Sequence, residues 1–129
     1  YFYKKQDKLK SRKAIDEVFG KGKNFSHYPL KVIWLPSNKQ NVLQAAVGVS
    51  SRNFKKAVDR NRIKRLLRES YRLQKNGLYL YLKEHNKSMS VFFLYVGKEL
   101  PMYDLVFEKM GSAIKRLTIW SHENTEAHP

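Results

Sequence analysis

The stretch AVDRNRIKRLLRESYRLQK, residues 57–75, constrains the fold more than any other part of the chain. Read as a helix at about 100° per residue, it gathers Ile63, Leu66, Leu67, Ser70 and Tyr71 within an arc of roughly 140°. Asn61, Arg65, Arg68 and Arg72 fall on the opposite side within about 60°, with Lys64 and Arg62 flanking them. Only Asp59 and Glu69 interrupt the cations. Like charges at this spacing repel. The segment therefore needs two things at once: a body of protein to bury its apolar face, and an acidic partner for the other face.

The remaining segments supply the body. Residues 8–20, KLKSRKAIDEVFG, predict a short amphipathic helix with Leu9, Ile15, Val18 and Phe19 on one side, ended by Gly20 or Gly22. PLKVIWLP (29–36) alternates, with Leu30, Val32 and Trp34 facing one way and Lys31, Ile33 and Leu35 the other, so it predicts a strand of about six residues. SNKQN (37–41) predicts a polar turn and VLQAAVGVS (42–50) a second strand, the two strands forming a hairpin. A further short strand around NFSHY is expected before residue 29. After residue 75, NG at 76–77 marks a break and LYLYLKEH (78–85) another helical turn or two. MSVFFLYVG (89–97) is apolar almost throughout and predicts a strand covered on both faces. Residues 101–120 predict the last helix, with Val106, Met110, Ala113, Leu117 and Trp120 at helical spacing. The class is α+β with helices on a sheet. Residues 1–121 are expected to form a single domain, and 122–129 a frayed tail.

Charge then narrows the partner. The net charge is +15, and its placement is uneven. Residues 1–75 hold 20 Lys+Arg against 5 Asp+Glu, whereas residues 76–129 hold 6 of each. An excess confined to one part of the chain is the footprint of a polyanion-binding surface. Nucleic acid is the first candidate and an anionic membrane surface the second. The membrane reading would need a free apolar face beside the cations, and the apolar face of residues 57–72 is required by the core. No apolar run reaches the roughly 18–20 residues that span a bilayer, and the charged opening from Tyr1 to Lys13 lacks the pattern of a signal peptide. A cytoplasmic protein is expected.

Enzymatic constellations are missing from the sequence. With no cysteine there is no thiolate nucleophile and no cysteine-based metal site. His27, His85, His122 and His128 form no metal-ligand pattern. VGVSS (47–51) is too poor in glycine for a dinucleotide fingerprint, and no nucleophile elbow or P-loop is present. Neither a catalytic residue, a protein-held metal nor a small-molecule substrate is expected.

AVDRNRIKRLLRESYR (57–72) resembles the signature of the bacterial ribonuclease P protein subunit, an Arg-Asn-Arg core followed by further basic residues. The resemblance extends to KKQDKLKSRKAIDEVFGKG (4–22), LQAAVGVSSRNFKKAV (43–58) and MSVFFLYVGKEL (89–100), covering about 110 residues in the family's order. It implies an α-β sandwich of order α-β-β-β-α-β-α with a left-handed βαβ crossover, a topology that general handedness rules disfavour. It also implies two RNA partners, the catalytic RNA subunit of ribonuclease P and precursor tRNA, whose 5′ leader the complex removes. The hydrolysis would be carried by the RNA with Mg²⁺ held mainly by that RNA. The implied RNA-binding residues are Arg52, Lys55, Lys56, Arg60, Asn61, Arg62, Lys64, Arg65, Arg68 and Arg72. The implied leader groove, between the first helix and the sheet, takes Phe19, Trp34 and Arg52. Ordinary core packing is the alternative for Phe19 and Trp34, and the sequence leaves both open. The chain departs from the family at Ala14-Ile15, where Asp-Phe is frequent, and at Ser50-Ser51-Arg52, where Ser-Lys-Lys is usual; Lys55 and Lys56 are placed to compensate. The rival assignment is a non-catalytic RNA-binding or ribosome-associated protein with the same electrostatics.

Overall fold

A computed structural model describes residues 12–37 and 42–127. The expected helix start, Leu9, the turn residues 38–41 and the last two residues lie outside the described residues. The elements are α1 (Arg12–Lys21), β1 (Lys23–His27), β2 (Leu30–Ser37), β3 (Leu43–Val49), α2 (Ala57–Gln74), α3 (Asn76–Glu84), β4 (Ser88–Tyr95) and α4 (Tyr103–Ala127). The order is the expected one, with the turns after residue 75 forming a helix of their own. The backbone of α4 runs on past residue 120 to Ala127.

The four strands form one sheet in the order β1-β2-β4-β3. This corrects the expected hairpin between 29–36 and 42–50. β2 pairs antiparallel with β1 and β4, while β3 lies at the edge, parallel to β4. The reason is in β4. Met89, Val91, Phe93 and Tyr95 are buried on one face and Phe92 packs on the other. A strand apolar on both faces is stable only with neighbours on both edges and layers above and below. The hairpin that does form joins β1 to β2, in the register Phe25 opposite Val32. A parallel pair requires a long crossover, and α2 with α3 provides it between β3 and β4.

Two cores of unequal size result. On one face, α2, α3 and α4 cover Leu30, Val32, Trp34, Val91 and Phe93, with Ile63, Leu67, Tyr71, Met110 and Leu117 opposite them. On the other face α1 lies alone, its Ala14 and Val18 against Ile33, with Ile15, Leu35, Ala46 and Phe92 around them. α1 ends where Gly22 donates its N–H to the Val18 carbonyl, 2.8 Å away. A Cβ on Gly22 would lie 2.3 Å from that carbonyl and 2.9 Å from the Trp34 carbonyl, so of the two candidate stops Gly22 is the one the packing demands.

Candidate nucleic-acid interface

α2 presents its faces as its periodicity requires. Ile63, Leu67, Ser70 and Tyr71 are buried, and Tyr71 packs on Phe93 with ring centroids 5.4 Å apart. Leu66, at the margin of the apolar arc, is only half-buried. On the outer side Asn61, Arg62, Arg65 and Arg68 are exposed, with Lys64 half-buried beside them. Arg62, Arg65 and Arg68 form no ion pair with any described residue.

Two of the expected RNA ligands are already engaged within the protein. Arg60 Nη1 donates to the carbonyls of Phe54 (2.8 Å) and Lys55 (2.7 Å). No side chain caps α2 at Lys56, so Arg60 secures the chain where it enters the helix. Arg72 forks onto Glu69, one turn earlier. The hydrogen bond from Arg72 pulls the Glu69 carboxyl below its usual range, and Glu69 in turn raises Arg72. The pair is exposed, which makes it a weak structural contact. It leaves Arg72 partly neutralised at one end of the cationic band.

The loop before α2 is held to the end of the sheet. Ser50 donates its N–H to the Tyr95 carbonyl, and the Asn53 side-chain amide donates to the carbonyls of Val96 (3.2 Å) and Gly97 (3.3 Å). Lys55, Lys56 and Arg52 stay exposed along this anchored loop, continuous with the band on α2. Lys98, which the sequence reading did not single out, joins Arg52, Ser50, Ser51 and Asn53 around one shallow pocket floored by Leu94. Two cations with the hydroxyls of Ser50 and Ser51 form a suitable cradle for a phosphate.

The aromatic expectations divide. Phe19 is 47% exposed and lies on Phe92, centroids 4.8 Å apart. Trp34 is 1% exposed and lies on the opposite face of the sheet, against Trp120 at 5.5 Å. Its assignment to the leader groove is corrected: even-numbered residues of β2 face α4 and odd-numbered ones face α1, so Trp34 is a core residue. The aromatic that packs against Phe19 on the groove face is Phe92. Its signal in the sequence is its position in β4, on the face opposite Val91 and Phe93. Gly48 makes room for it, since a Cβ there would come within 2.7 Å of Phe92 Cζ. The strand register also sets Lys31 opposite Leu94 on this face. From the Phe19–Phe92 platform a strip of sheet surface therefore leads by way of Leu94 to the Arg52–Lys98 pocket.

An aromatic platform, a basic pocket and an adjoining cationic helix are the components of a single-strand and phosphate-binding surface. The model of the ribonuclease P family matches residues 3–118 of the chain. This chain belongs to the ribonuclease P protein family. It is 37% identical to the ribonuclease P protein component of Porphyromonas gingivalis over 115 residues, which covers 88% of this chain and 84% of that one. Identity to the corresponding protein of Chlorobium phaeobacteroides is 27% over 128 residues, 90% of this chain and 88% of that one. Among solved structures, the Staphylococcus aureus RNase P protein aligns with a TM-score of 0.66 at 16% identity, over 86% of this chain and 94% of that chain. The Thermotoga maritima RNase P protein aligns with a TM-score of 0.63 at 19% identity, over 84% and 96%. At these identities the two structures speak for the α+β fold. Family membership implies an RNA partner, in keeping with the cationic band.

Among the described residues no cluster of three or more His, Cys, Asp or Glu is arranged to hold a metal ion. No described helix is long and apolar enough to cross a membrane.

Proposed function

We propose that this chain is the protein subunit of ribonuclease P, acting with a catalytic RNA to remove the 5′ leader of precursor tRNA in the cytoplasm. The observation that carries the reading is the exposed face of Asn61, Arg62, Arg65 and Arg68, unpaired among the described residues, in a chain of this family. In this reading the face grips phosphates of the catalytic RNA, with arginine giving planar bidentate contacts. The strip between α1 and the sheet takes the single-stranded leader, stacking a base on Phe19 and Phe92 and holding a phosphate at Arg52 and Lys98. Mg²⁺ belongs to the RNA in this scheme. The protein contributes affinity, and positioning of the leader raises the effective concentration of substrate at the RNA active site.

Reconstitution tests this. With catalytic RNA at low Mg²⁺, adding the protein should restore cleavage of a precursor tRNA, and the complex should bind precursor more tightly than mature tRNA. Equal affinity for the two would favour a general RNA-binding or ribosome-associated role. The protein alone should leave RNA intact. Nuclease activity in an RNA-free preparation, removed by a point substitution in this chain, would refute the assignment.

Phe19→Ala should weaken binding of leader-bearing precursor by about 5- to 150-fold, the equivalent of one base–aromatic stack at roughly 1–3 kcal/mol. Binding of mature tRNA should not change, nor should the melting temperature move much, since Phe19 is half-exposed. An equal loss for mature tRNA would place Phe19 outside the leader path.

A further inference from the structure

Beyond the phosphate pocket the surface does not end. Lys98 also lines a second groove, of about 740 Å³, between the β1–β2 turn and the start of α4. That volume lies in the ~300–1,000 Å³ range of small-ligand sites. Its walls are Tyr28, Pro29, Tyr95, Leu100, Met102 and Leu105. Tyr28 is 66% exposed and Met102 77%, so the mouth is open and apolar. The Tyr95 hydroxyl donates to the Glu99 carbonyl at 2.6 Å, which ties the β4–α4 connection to the strand and gives the groove a fixed wall. The lining also carries three exposed carboxylates: Glu99, and Asp104 and Glu108 one turn apart on α4.

We propose that this groove receives one base of single-stranded RNA whose neighbouring phosphate rests at Arg52 and Lys98, and that it selects bases carrying an exocyclic amine. The proposal rests on the leader-binding reading above and extends the path by one site. A carboxylate beside an RNA backbone costs repulsion, so it is tolerable only where a base edge, and not a phosphate, comes next to it. Cytosine offers an N4 amine to a carboxylate. Uracil offers a carbonyl oxygen at the same position, an acceptor facing an acceptor. Tyr28 supplies the stacking face, which all bases can use. The shared Lys98 sets the spacing between phosphate and base.

The test uses the full chain and short single-stranded oligo(C) and oligo(U) of equal length, compared by titration. Oligo(C) should bind about tenfold more tightly, the scale of one hydrogen bond to a charged acceptor. Tyr28→Ala should weaken oligo(C) by about 5- to 100-fold, and Met102→Glu, which sets a carboxylate at the mouth, should weaken it as well. Glu99→Gln, Asp104→Asn and Glu108→Gln combined should erase the preference for oligo(C) even if overall affinity rises through lost repulsion. Thermal melts should show all variants folded, because these side chains are exposed. Phe19→Ala separates the two levels. If it weakens oligonucleotide binding while Tyr28→Ala and Met102→Glu do not, the groove is not an RNA site and the leader reading survives. If none of the three weakens binding, the leader reading fails together with the proposal. A preference for oligo(C) that persists in the triple carboxylate variant would overturn the selection by the acidic wall.

Discussion

Raising the salt from 50 to 200 mM should lower the affinity of this protein for its RNA partner by about 10³–10⁴-fold. The expectation follows from counting cations that remain available. Arg52, Lys55, Lys56, Arg62, Lys64, Arg65 and Arg68 are exposed or half-buried, whereas Arg60 is bound to loop carbonyls and Arg72 to Glu69. About six to seven phosphates can therefore be neutralised. Six to ten contacts correspond to roughly 10³–10⁵ over this salt interval for duplex DNA, with a shallower slope on single strands, so the lower part of that range applies. Arg62→Ala should flatten the slope by about one unit, as loss of a single phosphate contact does. Arg72→Ala should alter it much less, because Glu69 competes for that guanidinium. A response that is flat with salt would remove electrostatics as the main source of binding.

The second large effect separates the two faces of α2. Arg65→Ala with Arg68→Ala should leave stability within about 0.5 kcal/mol, since both side chains are exposed and unpaired among the described residues. Relief of like-charge repulsion should favour the variant slightly. RNA affinity should fall clearly, through loss of charge-assisted contacts. Leu67→Ala should behave in the opposite way. Leu67 is fully buried beneath the sheet face, and its truncation should cost about 2–5 kcal/mol. RNA binding would then decline only in proportion to the unfolded fraction. Leu66, half-buried at the margin, is the less suitable probe and should cost less. Thermal melts paired with RNA titrations give both readings. A strongly destabilised arginine variant, or an unaffected melt for Leu67→Ala, would mean that the helix faces the other way.

Local pattern carried much of this molecule. The helix at 57–74, the strand at 30–37 and the buried strand at 88–95 were all legible, because each follows a period set by its own backbone geometry. The family signature was legible for a related reason: its arginines and asparagine lie within a few turns of one helix, so spacing alone puts them on one face. The interior role of Arg60 was not legible. Its hydrogen bonds reach back to Phe54 and Lys55, and they depend on the path of a loop whose course is set by Asn53 at the end of β4.

The hairpin failed for a different reason. Closing a short loop is entropically cheap, which by itself favours pairing of adjacent strands. Burial of both faces of β4 outweighs that saving and inserts it between β2 and β3. Likewise, the alternation of β2 correctly grouped Leu30, Val32 and Trp34, but it held no information on which helix would cover them.

By itself, then, the sequence determined the elements, the split character of α2, the concentration of positive charge and the family. Strand order and the helix assigned to each face were decided only by tertiary structure. Those two choices moved Trp34 into the core, brought Phe92 under Phe19 and joined Lys98 to Arg52. The physical reason is that periodicity is a property of neighbouring residues, whereas layer and order minimise exposed apolar area over the whole chain.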